Sequence, residues 1–150
     1  MNMVPEHAVE KIQRDHDYLF ELMDRIAAVC DKRSEQINCR TCGSDRRVVC
    51  QGNVHQLIQT FTEATLKHHA VEAFYMVDTA PLEHRTAHVR AHMAIAEKLK
   101  AIRVEFSEDG NCITAIDGVE QAVAAIRAHV DEFDAPLERM LMQPARSEAL

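Results

Sequence analysis

The 150-residue chain has no tryptophan, two tyrosines, four glycines and four prolines. So few chain breakers leave little material for the turns of an all-β fold and favour long helices. Long apolar runs are missing as well. None approaches the ~18–20 residues that a membrane span requires, and Met1 to Glu10 has no apolar signal core. Basic residues fall short, 17 against 24 acidic, for a formal net charge of −7 with histidine neutral. That balance argues against a nucleic-acid backbone as the main partner. These absences predict a soluble, cytoplasmic, acidic, all-α protein with one domain over residues 1–150. Such a length buries roughly two-thirds of the unfolded surface without help from disulfides. The excess is histidine, nine residues in all.

Four segments place apolar residues at helical spacing. The first, about Pro5 to Arg33, carries Ile12, His16, Leu19, Met23, Ile26 and Cys30, with Pro5 suited to a first helical turn. The second, about Asn53 to Val77, carries Val54, Leu57 or Ile58, Phe61, Thr65, His68, Glu72 and Tyr75. The third, from Pro81 to before Ser107, carries Arg85, His88, His92, Ile95, Leu99, Ile102 and Phe106. The fourth lies within Cys112 to Met142 and carries Val119, Ala122, Ile126, His129, Phe133, Leu137 and Leu141. Asn111, Thr114 and Asp117 are its cap candidates, and Asp117 with Glu120 makes the best capping box. Short links at Asp78 to Ala80 and Ser107 to Asn111 make neighbours antiparallel. The expected architecture is an up-down-up-down four-helix bundle. A long cysteine-bearing loop, Ser34 to Gly52, joins helices one and two and holds Cys39, Cys42 and Cys50 with Arg40, Arg46 and Arg47.

Every stripe breaks in the same way, with a histidine where the interior should be. A single buried imidazole reads as a satisfied core residue. Five on four facing helices, with carboxylates beside them, read as metal ligands, because an ion compensates several buried polar groups at once. His68 and Glu72 stand four apart, as do His88 and His92, so each pair projects from one helical face. His129 and Asp134 stand five apart and converge only on a distorted helix. Five imidazoles and two carboxylates are too many for one tetrahedral zinc. Two bridged iron or manganese ions use all seven, and nitrogen-rich ligation favours iron over magnesium or calcium. No glutamate has a histidine three residues later. The Glu-x-x-His type of di-iron bundle is therefore excluded.

These segments resemble the hemerythrin family, in particular bacterial hemerythrin domains, from about Arg14 to Asp134. Asp15-His16-Asp17-Tyr18-Leu19-Phe20 is similar to the family's D-x-x-H-x-x-L-F type of segment. His68-His69-Ala70-Val71-Glu72 matches H-x-x-x-E, with Met76 following. His88-x-x-x-His92 matches H-x-x-x-H with its apolar continuation to Leu99, and His129 to Asp134 matches the closing H-x-x-x-x-D. The resemblance implies that His88, His92 and His129 bind one iron and His16 and His68 the other. Glu72 and Asp134 would then bridge an oxo- or hydroxo-linked pair. It also implies dioxygen as the ligand, bound at the open position of the two-histidine iron.

The chain departs from that pattern in three places. His84 stands four before His88 and competes with His92 for the third-helix pair, the spacing from His68 to His88 being one residue longer than usual. Ala125 replaces the tryptophan that often stands four residues before the last histidine, opening the cage to water or larger ligands. The first link is longer than the family's and carries three cysteines. Those cysteines read as a thiol-disulfide switch, as a structural zinc site completed by Cys30 or His55, or as plain reduced thiols. Cys30 and Cys112 themselves read as small apolar residues. His7, His55, His69 and His84 are expected at the surface, and Glu132 faces either cage or solvent. Met23, Phe61, Tyr75, Phe106 and Phe133 read as packing, Tyr75 standing one turn beyond Glu72. The expected function is a non-enzymatic oxygen or redox sensor module. An output domain could follow the fourth helix past Leu141 and Gln143-Pro144-Ala145-Arg146. A dioxygen carrier and a peroxide or nitric oxide reductase are the alternatives.

Overall fold

A computed structural model describes residues 5–30, 39 and 42–143, apart from the side chain of Pro5. Arg40 and the exit Pro144 to Arg146 lie outside the described residues, as does the expected end of the first helix at Arg33. The chain folds into α1 (Pro5–Ala28), α2 (Ser44–Thr79), α3 (Leu82–Asp109) and α4 (Cys112–His129). A π-helical turn (Val130–Asp134) then leads directly into α5 (Ala135–Met142). The α4–π–α5 run is one unbroken rod, since the backbone stays right-handed helical through both junctions. Helix α1 packs on α2 and α4, and α3 packs on α2 and α4, closing a ring of four rods. The chain is an all-α four-helix bundle with short links between α2, α3 and α4.

Element boundaries differ from the sequence expectation in three respects. Helix α2 starts at Ser44, nine residues before Asn53, so Cys50, Arg46 and Arg47 sit on its first turns and not in a loop. Gly52, the expected end of the loop, is an exposed interior helical residue with nothing near its missing Cβ. A lone glycine of that kind costs a helix only about 1 kcal/mol. Helix α3 runs past Ser107 to Asp109, where Gly110 takes the left-handed conformation (φ 62°) and stops it. Asn111, not Asp117, caps α4: its Oδ1 accepts the N–H groups of Ile113 and Thr114 at 3.1 and 3.3 Å.

The core divides into two apolar clusters. The larger gathers Leu19, Leu22, Ile26, Ile58, Phe61, Leu99, Ile116, Val119 and Ile126. The smaller joins Ala8, Ile12, Met76, Ala80, Leu137 and Leu141. In α1 the break between them falls at His16; in α2, at His68 and Glu72; in the last rod, at His129 and Asp134. A single polar layer therefore crosses the bundle, closed by hydrocarbon at both ends. The expected packing residues behave accordingly, with Met23, Phe61 and Phe106 buried and Tyr75 and Phe133 half-buried.

Candidate metal centre

Burial of charge-bearing side chains is costly unless each finds a partner. His16, His68, Glu72, His88, His92, His129 and Asp134 are nonetheless all buried, and Glu72 and His88 are fully enclosed. Their ligand atoms form two groups, Glu72-His88-His92-His129-Asp134 and His16-His68-Glu72-Asp134. The two carboxylates belong to both.

Each carboxylate turns one oxygen towards each group. Glu72 Oε1 lies 3.0 Å from His92 Nε2, 3.3 Å from His88 Nε2 and 4.0 Å from His129 Nε2. Its Oε2 lies 3.1 Å from His68 Nε2. Asp134 Oδ1 lies 2.9 Å from His88 Nε2 and 3.0 Å from His129 Nε2. Its Oδ2 lies 2.8 Å from His16 Nε2 and 3.8 Å from His68 Nε2. All five imidazoles thus direct the same ring nitrogen inward.

The five-residue spacing of His129 and Asp134 is resolved by the π turn. The Ala135 N–H donates to Val130 O, five residues back, so one extra residue is accommodated per turn. An ordinary α-helix would turn Asp134 away from His129; the wider turn returns both to one face. The helix distortion expected from the sequence is this turn.

Protonation in the metal-free chain follows the same geometry. Burial disfavours charge on His68, but the nearby carboxylates of Asp134, Glu72 and Asp15 outweigh it and push the ring up to about 10. His129, equally opposed by burial, is raised to about 9 by Asp134 and Glu72. Burial works against ionisation of Glu72 and Asp134 as well, yet the surrounding imidazoles hold both well below the usual carboxylate range. The layer therefore carries positive charge on His68 and His129 beside its two carboxylates.

Protons satisfy this layer incompletely. His68 Nε2 and Glu72 Oε2 are buried and lack hydrogen-bond partners despite lying 3.1 Å apart. His88 Nε2 and His129 Nε2 lie 3.1 Å apart, a contact that holds only while one of them carries a proton. A cation in each group would take the place of such protons, and inward nitrogens with split carboxylates suit a bridged transition-metal pair. The residues fit such a pair.

Outer contacts orient the rings. His68 Nδ1 bonds Asp15 Oδ2 at 3.0 Å, which leaves Nε2 to face inward. His84 Nε2 bonds His88 Nδ1 at 3.0 Å, so His84 backs His88 and does not replace His92. His84 is half-buried, not at the surface as expected. His69 is a second correction. It is buried, stacks on His92 with ring centroids 3.8 Å apart, and is driven down to about 2 by burial and by His92, so it stays neutral. Sequence spacing missed it because the adjacent His68 already filled the inward position; the broad polar layer leaves room for both. His7 and His55 are exposed as expected, and Glu132 faces solvent. Ala125, one turn before His129, is half-buried. An open groove of about 300 Å³ lined by His55, Ile58, Lys100 and Phe106 touches none of the seven inward residues.

Among the described residues no helix is long and apolar enough to cross a membrane. No curated protein and no solved structure matches the chain. A family model, the hemerythrin HHE cation-binding domain, matches residues 7–141, a span that contains the whole polar layer. The chain belongs to the hemerythrin HHE cation-binding family.

Proposed function

We propose that this chain is a non-haem di-iron module that senses dioxygen or redox state in the cytoplasm, acting as a binding protein and not as an enzyme. The observation that carries the reading is the split of Glu72 and Asp134, each with one oxygen towards His88-His92-His129 or His88-His129 and the other towards His16 or His68. In this reading His88, His92 and His129 hold one iron, His16 and His68 the other, and the two carboxylates bridge. The bound pair would supply a ferrous–ferric couple and, on the two-histidine side, a free position for dioxygen.

The protein residues do the rest. Apolar clusters above and below the layer exclude water and strengthen every polar contact inside. Asp15 and His84 fix ring orientation from outside. His69, neutral and stacked on His92, adds a polar surface to a cage that hydrocarbon otherwise lines. Ala125, half-buried one turn before His129, contributes only a methyl group there, which supports entry of small ligands and rapid oxidation, the behaviour of a sensor more than of a store. Helix α4 and the π turn carry His129 and Asp134 on one rod, so a change at the layer bears directly on the position of α5.

The test is an optical spectrum of the anaerobically reduced, iron-loaded chain on exposure to dioxygen, followed by hydrogen-exchange maps of both oxidation states. New near-ultraviolet charge-transfer bands, oxidation within seconds and altered protection in α5 are expected. An oxygenated form lasting hours with identical maps would overturn sensing in favour of carriage. Multiple turnover of peroxide or nitric oxide with an electron donor would overturn the non-enzymatic reading.

A further inference from the structure

The cysteines are scattered from residue 30 to residue 112, yet they meet at the end of the bundle remote from the polar layer. Cys30 follows α1, Cys39 and Cys42 lie between α1 and α2, Cys50 is on α2, and Cys112 opens α4. Cys39 and Cys112 belong to the larger apolar cluster, and Cys30 and Cys50 pack against it. Along α4 the separation of Cys112 from His129 is about 25 Å at 1.5 Å per residue. None of the five sulfurs is in a disulfide.

One pair is in direct contact. Cys39 Sγ accepts the Cys112 N–H at 3.2 Å, and the Cys39 thiol donates to Asn111 Oδ1 at 3.5 Å. The Cys42 N–H donates to Cys39 O at 3.1 Å. Cys39 is 9% exposed and Cys112 1%. Burial and the adjacent Cys39 push the Cys112 thiol up to about 12. Among the described residues, no three thiols approach closely enough to share one ion. The Cys39–Cys112 contact is therefore not part of a four-sulfur metal cage.

We propose that Cys39 and Cys112 form a reversible disulfide by exchange with a small disulfide, a redox modification site separate from the metal layer. Cys39, whose sulfur receives the Cys112 N–H, is the attacking thiol. As thiolate it attacks one sulfur of R–S–S–R, forming a mixed disulfide and releasing RS⁻, which takes up the Cys39 proton. The Cys112 sulfur then attacks the Cys39 sulfur, and its own proton leaves with the second RS⁻. Two protein thiols are oxidised by two electrons, and one small disulfide is reduced to two small thiols. The cross-link fastens the connection between α1 and α2 onto the capped start of α4. The chain entropy of the unfolded state falls because residues 39 and 112 are distant in sequence.

The experiment equilibrates the full iron-loaded chain with mixtures of glutathione and its disulfide, then maps disulfides by non-reducing peptide mass spectrometry. The expected product is two hydrogens lighter, joins the Cys39 and Cys112 peptides, reverts with excess glutathione and keeps its iron. Its thermal midpoint should exceed that of the reduced chain. Cys112→Ser should instead accumulate a glutathione adduct on Cys39, while Cys42→Ser and Cys50→Ser should still form the cross-link. A dominant Cys39–Cys42 or other pairing, or an unresolved adduct in the unaltered chain, would overturn the proposal. So would cobalt(II) binding to the reduced chain with sulfur-to-metal charge-transfer bands that blocks oxidation, which would assign these thiols to a metal.

Discussion

Substituting Glu72 with Gln separates the two groups of ligands most sharply. Glu72 is fully buried, and its two oxygens face His92 and His88 on one side and His68 on the other. One exchange of oxygen for nitrogen therefore injures both metal positions, whereas His92→Ala or His16→Leu injures only one. In the metal-free chain the same change removes a counter-charge from several buried imidazoles. Removing one partner from a buried pair costs about 3–5 kcal/mol. For a domain of this length that corresponds to about 6–20 °C in Tm, at about 2–4 °C per kcal/mol. Iron is measured by elemental analysis after anaerobic loading and desalting, and Tm by circular dichroism in chelator. The expected order is two irons in the unaltered chain, one in His92→Ala and His16→Leu, and none in Glu72→Gln, with the Tm loss present even in chelator. Retention of two irons by Glu72→Gln would refute the shared-carboxylate reasoning. Loss of both by His16→Leu would refute the division into separable positions.

Further outcomes follow from the geometry of particular residues. His84→Ala removes the partner of His88 Nδ1 and should weaken metal affinity roughly 10–100-fold with helicity intact, measured by competition with a chromophoric chelator. Stability of the metal-free chain should fall as pH rises from about 6.5 to about 10. His68 and His129 have folded values of about 10 and about 9, above the ordinary 6.5, so their contribution is complete below 6.5 and lost above those values. Metal requires neutral imidazoles, so the stabilisation on adding it should grow over the same interval; denaturant titrations at pH 6 and pH 9 check both signs. Gly110→Ala should destabilise by about 1–2 kcal/mol, because φ is 62° and the new Cβ would sit 2.6 Å from Gln51 Nε2. Gly52→Ala, in open space within α2, should stabilise by about 0.5–1 kcal/mol; thermal melts compare the two.

Long amphipathic periodicity made the rods readable, since each stripe repeats over several turns and tolerates an error at either end. The inward histidines were readable for the same reason: an imidazole in an apolar stripe contradicts its surroundings. Boundaries were less legible. Gly52 is the expected end of the loop, and only its lack of any tertiary clash reveals why the helix passes through it. The capping box at Asp117 and Glu120 satisfies a local rule, but Gly110 ends α3 so late that Asn111 is already at the first free N–H groups. Sequence spacing puts His69 and His84 at the surface because it reports only the face of one helix. Their burial depends on what α3, α4 and the π turn bring opposite them.

The π turn links these two kinds of legibility. In sequence, a histidine and an aspartate five apart look like an imperfect α-helical pair. In the bundle, the imperfection is what lets one rod present His129 and Asp134 to the layer and still return Leu137 and Leu141 to the smaller apolar cluster. A regular α-helix with the same residues could satisfy either the layer or the cluster, not both. The extra residue is stabilised by the hydrocarbon below it and the carboxylate contacts within it, so the distortion belongs to the packing as much as to the site. The wider turn is here the consequence of meeting two buried surfaces of different chemistry with one continuous helix.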